Sequence, residues 1–172
     1  MIPDNPVVLL VDDSETDALL MSAAFQRAGF VEPLRFVNDG QEMISYIQGD
    51  GRYADRALFP VPTVVLMDLK MPYKSGFEVL AWIRRQPQFK RLRVYILSAS
   101  NEPEDIARAY DLGANSYLVK PSNLDALSQM AKYLLTWLKV THFPPALGKN
   151  AAHENAPRVP AETQDDRVDP MV

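Results

Sequence analysis

Asp12 and Asp13 follow the apolar run Val7 to Val11, and Asp68 follows Thr63 to Met67. Ser98 closes Val94 to Leu97, and Lys120 with Pro121 closes Asn115 to Val119. If these runs are strands of one open parallel sheet, their carboxyl ends face a common crevice, the usual ligand position of such sheets. Carboxylates gathered there repel one another unless a cation neutralises them. A set of oxygen-only ligands, with no twelve-residue calcium loop, points to Mg²⁺ retaining several of its waters. Lys120 adds a second positive charge that can pair with Asp68 or with a phosphoryl oxygen. A carboxylate between a metal ion and a lysine is a place to put a phosphoryl group. Taken alone, Asp12 and Asp13 would be read as helix caps and Ser98 as an ordinary loop hydroxyl. Asp68 at the end of a buried strand is costly without a cation.

The elements that must position these groups alternate regularly. The strand-length runs, with Leu34 to Val37 as the second, are separated by helix-length segments, which predicts βαβ units with helices on both faces of a parallel sheet. The nearly continuous apolarity of the first and third runs fits strands covered on both sides. The first helix is expected from a Ser14 cap to Gly29, with Asp17 as capping-box partner and Leu20, Met21, Ala24, Phe25 and Ala28 as its buried stripe. A second helix follows Asp39-Gly40 and uses Met43, Ile44 and Ile47. A third follows Gly76, uses Val79, Leu80 and Ile83, and stops before Pro87. The fourth runs from Pro103 to about Leu112, before Gly113. The fifth, Asn123 to Val140, carries Leu124, Leu127, Met130, Ala131, Leu134, Trp137 and Leu138 at helical spacing, read as core rather than as a cofactor box.

Two segments fall outside this alternation. Gly49 to Pro62, with glycine, charge and prolines, reads as an extended loop longer than most. From Phe143 the chain is proline-rich and polar without apolar period. The expected organisation is therefore a folded unit over 1–142 and a disordered tail over 143–172.

The 172 residues suffice for one core, and a formal charge of -4 disfavours nucleic acid as partner. Absence of cysteine excludes disulfides and thiolate metal sites. Met1 to Pro6 lacks the marks of a signal peptide, and Val7 to Val11 is too short to span a bilayer, so no membrane association and a cytoplasmic location are expected. His142 and His153 are given no function. The basic residues Lys74, Arg84, Arg85, Lys90, Arg91 and Arg93 are read as a solvated face.

In order and spacing, Asp12-Asp13, Asp68, Ser98 and Lys120-Pro121 resemble the defining positions of the response-regulator receiver domain. The likeness covers about residues 6 to 140 and extends to Asp39-Gly40, Met71-Pro72, Gly76, Gly113-Ala114 and Tyr117. The long Gly49 to Pro62 loop and the lack of an output module after the fifth helix are most similar to single-domain regulators of bacterial phytochrome-type sensor kinases. The resemblance implies a flavodoxin-like, doubly wound, five-stranded parallel sheet of order 2-1-3-4-5. It implies that Asp68 is the phosphoacceptor, taking phosphorus from a phosphohistidine of a sensor histidine kinase. Asp13 and Asp68 would ligate Mg²⁺ directly, Asp12 mainly through a metal-bound water, and Lys70 through its backbone carbonyl. Lys120 and Ser98 would hold phosphoryl oxygens, with the peptide before Pro121 expected to be cis. Tyr117 is then the aromatic switch, and Lys70 and Ser100 tune the lifetime of the acyl phosphate. Such a chain is no enzyme on other substrates, but it catalyses its own phosphorylation and slow dephosphorylation. It signals through protein contacts, with a homodimer through the face of the fourth and fifth helices.

Three rivals are weighed against this expectation. A nucleotide-binding enzyme needs a glycine-rich cradle after the first strand, where this chain has Asp12-Asp13-Ser14-Glu15. An aspartyl phosphatase needs a second acid two residues after the nucleophile, where Lys70 stands. A receiver-like interaction module that is never phosphorylated is the nearest alternative.

Overall fold

The structure, a computed structural model, describes residues 6–32 and 34–142; the tail expected over 143–172, and with it His153, lies outside them. In chain order the elements are β1 (Val8–Val11), α1 (Glu15–Arg27), β2 (Arg35–Val37), α2 (Gly40–Gln48), a 3₁₀ turn (Gly51–Tyr53), β3 (Val64–Met67), α3 (Gly76–Arg85), β4 (Val94–Ser98), α4 (Pro103–Asp111), β5 (Ser116–Val119) and α5 (Leu124–Val140). The strands form one parallel sheet of order β2-β1-β3-β4-β5. Reversal of strand order between β1 and β3 places the switch point between the ends of those two strands.

Alternation along each strand sorts the core into two layers. Leu9, Val11, Val65, Met67, Val94 and Ile96 pack on one side with Met43 and Ile47 of α2, Val79, Leu80 and Ile83 of α3, and Ala109 of α4. Val8, Leu10, Val64, Leu66, Tyr95 and Leu97 pack on the other with Met21 and Phe25 of α1 and Leu127, Ala131, Leu134 and Leu138 of α5. Each strand therefore feeds both layers, which is why β1 and β3 have no polar positions until they end.

Four local expectations are corrected. Leu20 lies on the flank of the α1 stripe and is 41% exposed, because Met21, Ala24 and Phe25 already fill the width of helix that meets the sheet. Trp137 is 56% exposed. It overhangs β5, an edge strand with no neighbour beyond it, and lines an open apolar groove with Tyr95, Leu118, Met130, Tyr133 and Leu134. Leu135 takes a core place instead.

Gly49 to Pro62 is built rather than extended. Gly49 ends α2 in the left-handed region, at φ 73°. The Arg56 guanidinium then donates to the carbonyls of Tyr46 (2.8 Å), Ile47 (2.7 Å) and Phe59 (3.1 Å), satisfying the last turn of α2. The rings of Tyr46, Tyr53 and Phe59 close around one another at centroid distances of 4.9 to 6.0 Å. Nor is the basic stretch uniformly solvated. Arg84 is half-buried and ties α3 to two other segments through the carbonyls of Gly113 and Leu92 and the side chain of Asn115. Arg93 donates to the Thr63 carbonyl. A guanidinium carries five donors in a fixed fork, which suits it to gather carbonyls that no strand or helix has paired.

Candidate functional site

β1 and β3 run side by side, pairing Val11 with Met67, so the residues that follow them emerge together. Asp12, Asp13 and Asp68 each bring a carboxylate oxygen within 4.8 Å of the other two. Asp12 is buried, Asp68 partly buried and Asp13 exposed. The group has the hardness and the open side that a hydrated divalent cation requires, and the described residues hold no other cluster of this kind.

Local hydrogen bonding fixes two of the three carboxylates, those of Asp12 and Asp68. Asp12 Oδ1 accepts the Ser14 N–H at 3.0 Å, turning the chain out of β1, and the Ser14 hydroxyl accepts the Asp17 N–H to start α1. Asp68 Oδ1 accepts the Leu69 N–H at 2.7 Å, leaving Oδ2 toward the crevice. The loop behind it comes so close that a methyl group at Gly76 would lie 2.3 Å from the Asp68 carbonyl oxygen, so only glycine fits there. Ser75 and Glu78 form a reciprocal capping box that starts α3 at that point. Between them and Asp68, the highly exposed Tyr73 takes a left-handed φ of 63°.

Lys120 crosses from the end of β5 to meet all of this. Its ammonium donates to Asp12 at 2.6 Å, to Asp17 at 2.9 Å and to Asp68 at 3.4 Å. Burial by itself lowers the lysine's pKa. The hydrogen bonds it donates to Asp12 and Asp17 and the charges of Asp68 and Asp12 outweigh that effect, and the net shift is upward. The ammonium therefore stays charged at neutral pH. The expected cis peptide before Pro121 is not found: no described peptide is cis. Lys120 reaches the carboxylates from a trans peptide.

Asp17 also departs from expectation. It is no capping-box acid, because its carboxylate is turned away from the helix start and onto Lys120. The available signal was its place in the first turn of α1, four residues beyond Asp13, which brings an acid back over the strand end.

Ser98 and Tyr117 belong to β4 and β5, and Ser100 to the loop that follows β4. Ser98 is buried, and its hydroxyl accepts the Ser100 N–H at 3.3 Å. The Ser100 hydroxyl donates to Asp105 at 2.6 Å, tying the loop to α4. Tyr117 is half-buried against the sheet core, and its hydroxyl donates to the Ser100 carbonyl at 2.9 Å. Lys70 is exposed beside Asp68, and Ala99 is exposed above Ser98. No helix among the described residues is long and apolar enough to cross a membrane.

The sequence matches the response regulator receiver domain over residues 8–132. It is 34% identical over 145 residues to the response regulator Rcp1 of Synechocystis sp., covering 83% of this chain and 97% of that one. A Mn²⁺-bound crystal structure of Rcp1 superposes with a TM-score of 0.70 at 33% identity, covering 81% of this chain and 99% of the other. The response regulator RPA3017, in red light signaling of R. palustris, matches with a TM-score of 0.78 and 36% identity, covering 81% of this chain and 99% of its own. The phosphorylated cyanobacterial phytochrome response regulator RcpA matches at 0.74 and 34%, covering 82% and 99% respectively.

Proposed function

Because the chain belongs to the response regulator receiver domain family, whose flavodoxin-like fold it has, we propose that Asp68 is its phosphoacceptor and that a histidine kinase supplies the phosphoryl group. Receiver domains catalyse their own phosphorylation and their own dephosphorylation. The observation that carries the assignment is the Lys120 ammonium 3.4 Å from Asp68 Oδ2, within a cluster of carboxylates suited to a divalent cation.

Asp68 Oδ2 forms the new bond to phosphorus while the bond from phosphorus to the kinase imidazole nitrogen breaks, and that nitrogen keeps the electron pair. Lys120 then holds a phosphoryl oxygen, and the Ser98 hydroxyl, turning from Ser100, donates to another. Asp13 and Asp68 would hold Mg²⁺ directly, Asp12 through water, and Lys70 through its carbonyl. When bound, the ion neutralises the charge that the carboxylates and the phosphoryl oxygens bring together. The phosphoryl group adds acceptor oxygens and about two negative charges. Movement of Ser98 toward it repositions the Ser100 loop, on which the Tyr117 hydroxyl rests, and so changes the face of α4, β5 and α5. Lys70 and Ser100 set the lifetime of the acyl phosphate.

Likeness to the phytochrome response regulator RcpA supports a phytochrome-type sensor kinase as donor, and the cytoplasm is the proposed location. The apolar groove of β5 and α5 supports output by protein contact, and a homodimer is proposed through the face of α4 and α5. The receiver unit is taken as residues 1–142, with the proline-rich stretch 143–172 counted outside it. Incubation with a small phosphodonor and Mg²⁺, followed by phosphate-affinity electrophoresis, tests the assignment. Wild type is expected to shift and Asp68→Asn not to. Labelling of Asp68→Asn would overturn the acceptor, and an unlabelled wild type would favour an interaction module.

A further inference from the structure

The carboxylate cluster suited to a cation comprises Asp12, Asp13 and Asp68, and Asp17 stands outside it. Asp17 nevertheless binds Lys120 at 2.9 Å, closer than Asp68 does at 3.4 Å. The helix does not require this acid as a cap, since the Ser14 hydroxyl already fills that role. An ammonium has three donors, and these are divided between Asp12, buried to one side, Asp17, on the rim, and Asp68.

We propose that Asp17 is a positioning residue, which draws the Lys120 ammonium toward α1 and so leaves Asp68 available to the divalent cation. The inference rests on the assignment of the site above and adds to it a residue outside its ligand set. Lysine and the cation compete for the same oxygens. Shared between Asp12 and Asp68 alone, the ammonium would settle deeper among the carboxylates and repel the ion. With a third acid at the rim, it is held at the side of the crevice nearest α1. When phosphoryl oxygens arrive they outbid Asp17, whose side chain, 43% exposed, returns to water at little cost.

The test is a double-mutant cycle on the full chain, with Mg²⁺ affinity read by calorimetry for wild type, Asp17→Asn, Lys120→Met and the double variant. Loss of a nearby negative charge weakens Mg²⁺ binding in either background. Action through Lys120 makes the loss larger when the lysine is present, by about threefold or more. Equal losses in both backgrounds would overturn the proposal, as would no loss with Lys120 in place. A second measurement on metal-free protein follows the ¹⁵N signal of the Lys120 ammonium. Asp17→Asn is expected to move it and Glu15→Gln, on the same helical turn, to leave it. An ammonium signal indifferent to Asp17 also refutes the tether. If wild type itself fails to bind Mg²⁺, the metal assignment falls, and the ammonium signal still decides whether Asp17 holds the lysine.

Discussion

Replacing Lys120 by Met keeps a stem of similar bulk and removes the one ammonium that reaches Asp12, Asp17 and Asp68. Asp12 and Lys120 lie 2.6 Å apart with side chains only 2% and 14% exposed. Their attraction is about 6 kcal/mol at an effective dielectric constant of about 20. Desolvation of both ions offsets part of that, and losing one partner of a buried pair costs about 3–5 kcal/mol. We take about 3 kcal/mol as the expected loss in metal-free buffer, a large share of the roughly 5–15 kcal/mol that holds a domain folded. A divalent cation replaces the missing charge and no longer competes with the lysine. Each tenfold gain in Mg²⁺ affinity over wild type then recovers about 1.4 kcal/mol at saturating ion. Urea titrations followed by circular dichroism, in chelator and in Mg²⁺, measure both quantities. The deficit should be about halved by Mg²⁺. The folded-state pKa of Lys120 is raised above its ordinary value of 10.5. Its contribution is therefore complete below that value and is lost as pH rises through the higher folded one. In chelator the deficit should be constant between about pH 7 and 9 and shrink only in strong alkali. A deficit under about 1 kcal/mol in chelator, or one that Mg²⁺ leaves unchanged, refutes the reasoning.

Gly76→Ala is expected to cost about 1–3 kcal/mol in urea titration and to slow labelling of Asp68, because the new methyl meets backbone atoms that cannot give way independently; equal stability would contradict the close approach described. Arg56→Ala should lose about 2–3 kcal/mol, as three carbonyls lose a charged donor, yet label with phosphodonor at the wild-type rate. Lys70→Ala should shorten the acyl-phosphate half-life about two- to fivefold, the scale of one exposed charge, and equal half-lives would remove Lys70 from the lifetime.

The sheet and the main carboxylates were legible in the sequence because buried parallel strands are nearly all apolar until they end, so the first acid marks both the strand terminus and the crevice. Helix starts were equally plain where a capping side chain stood, as at Ser14, Asp39 and Asn123. Asp17 was hidden because in the first turn of a helix an acid has an adequate local explanation, and its partner lies 103 residues away. Trp137 has the spacing of a core residue, but spacing does not reveal that β5 has no outer neighbour. The three rings and the arginine that organise Gly49 to Pro62 obey no period, and Arg84 serves carbonyls that only the folded chain brings together. In each case the missing information was tertiary.

The segment braced by Arg56 enters β3 at its first residue, on the rim of the sheet opposite Asp68. Thr63, at the end of that segment, pairs there with Val7 just before β1. Reactivity and outward appearance are thus divided between two poles of one molecule. Exposed residues at the pole away from Asp68 can differ without touching the carboxylates, which gives one chemical device many distinguishable exteriors.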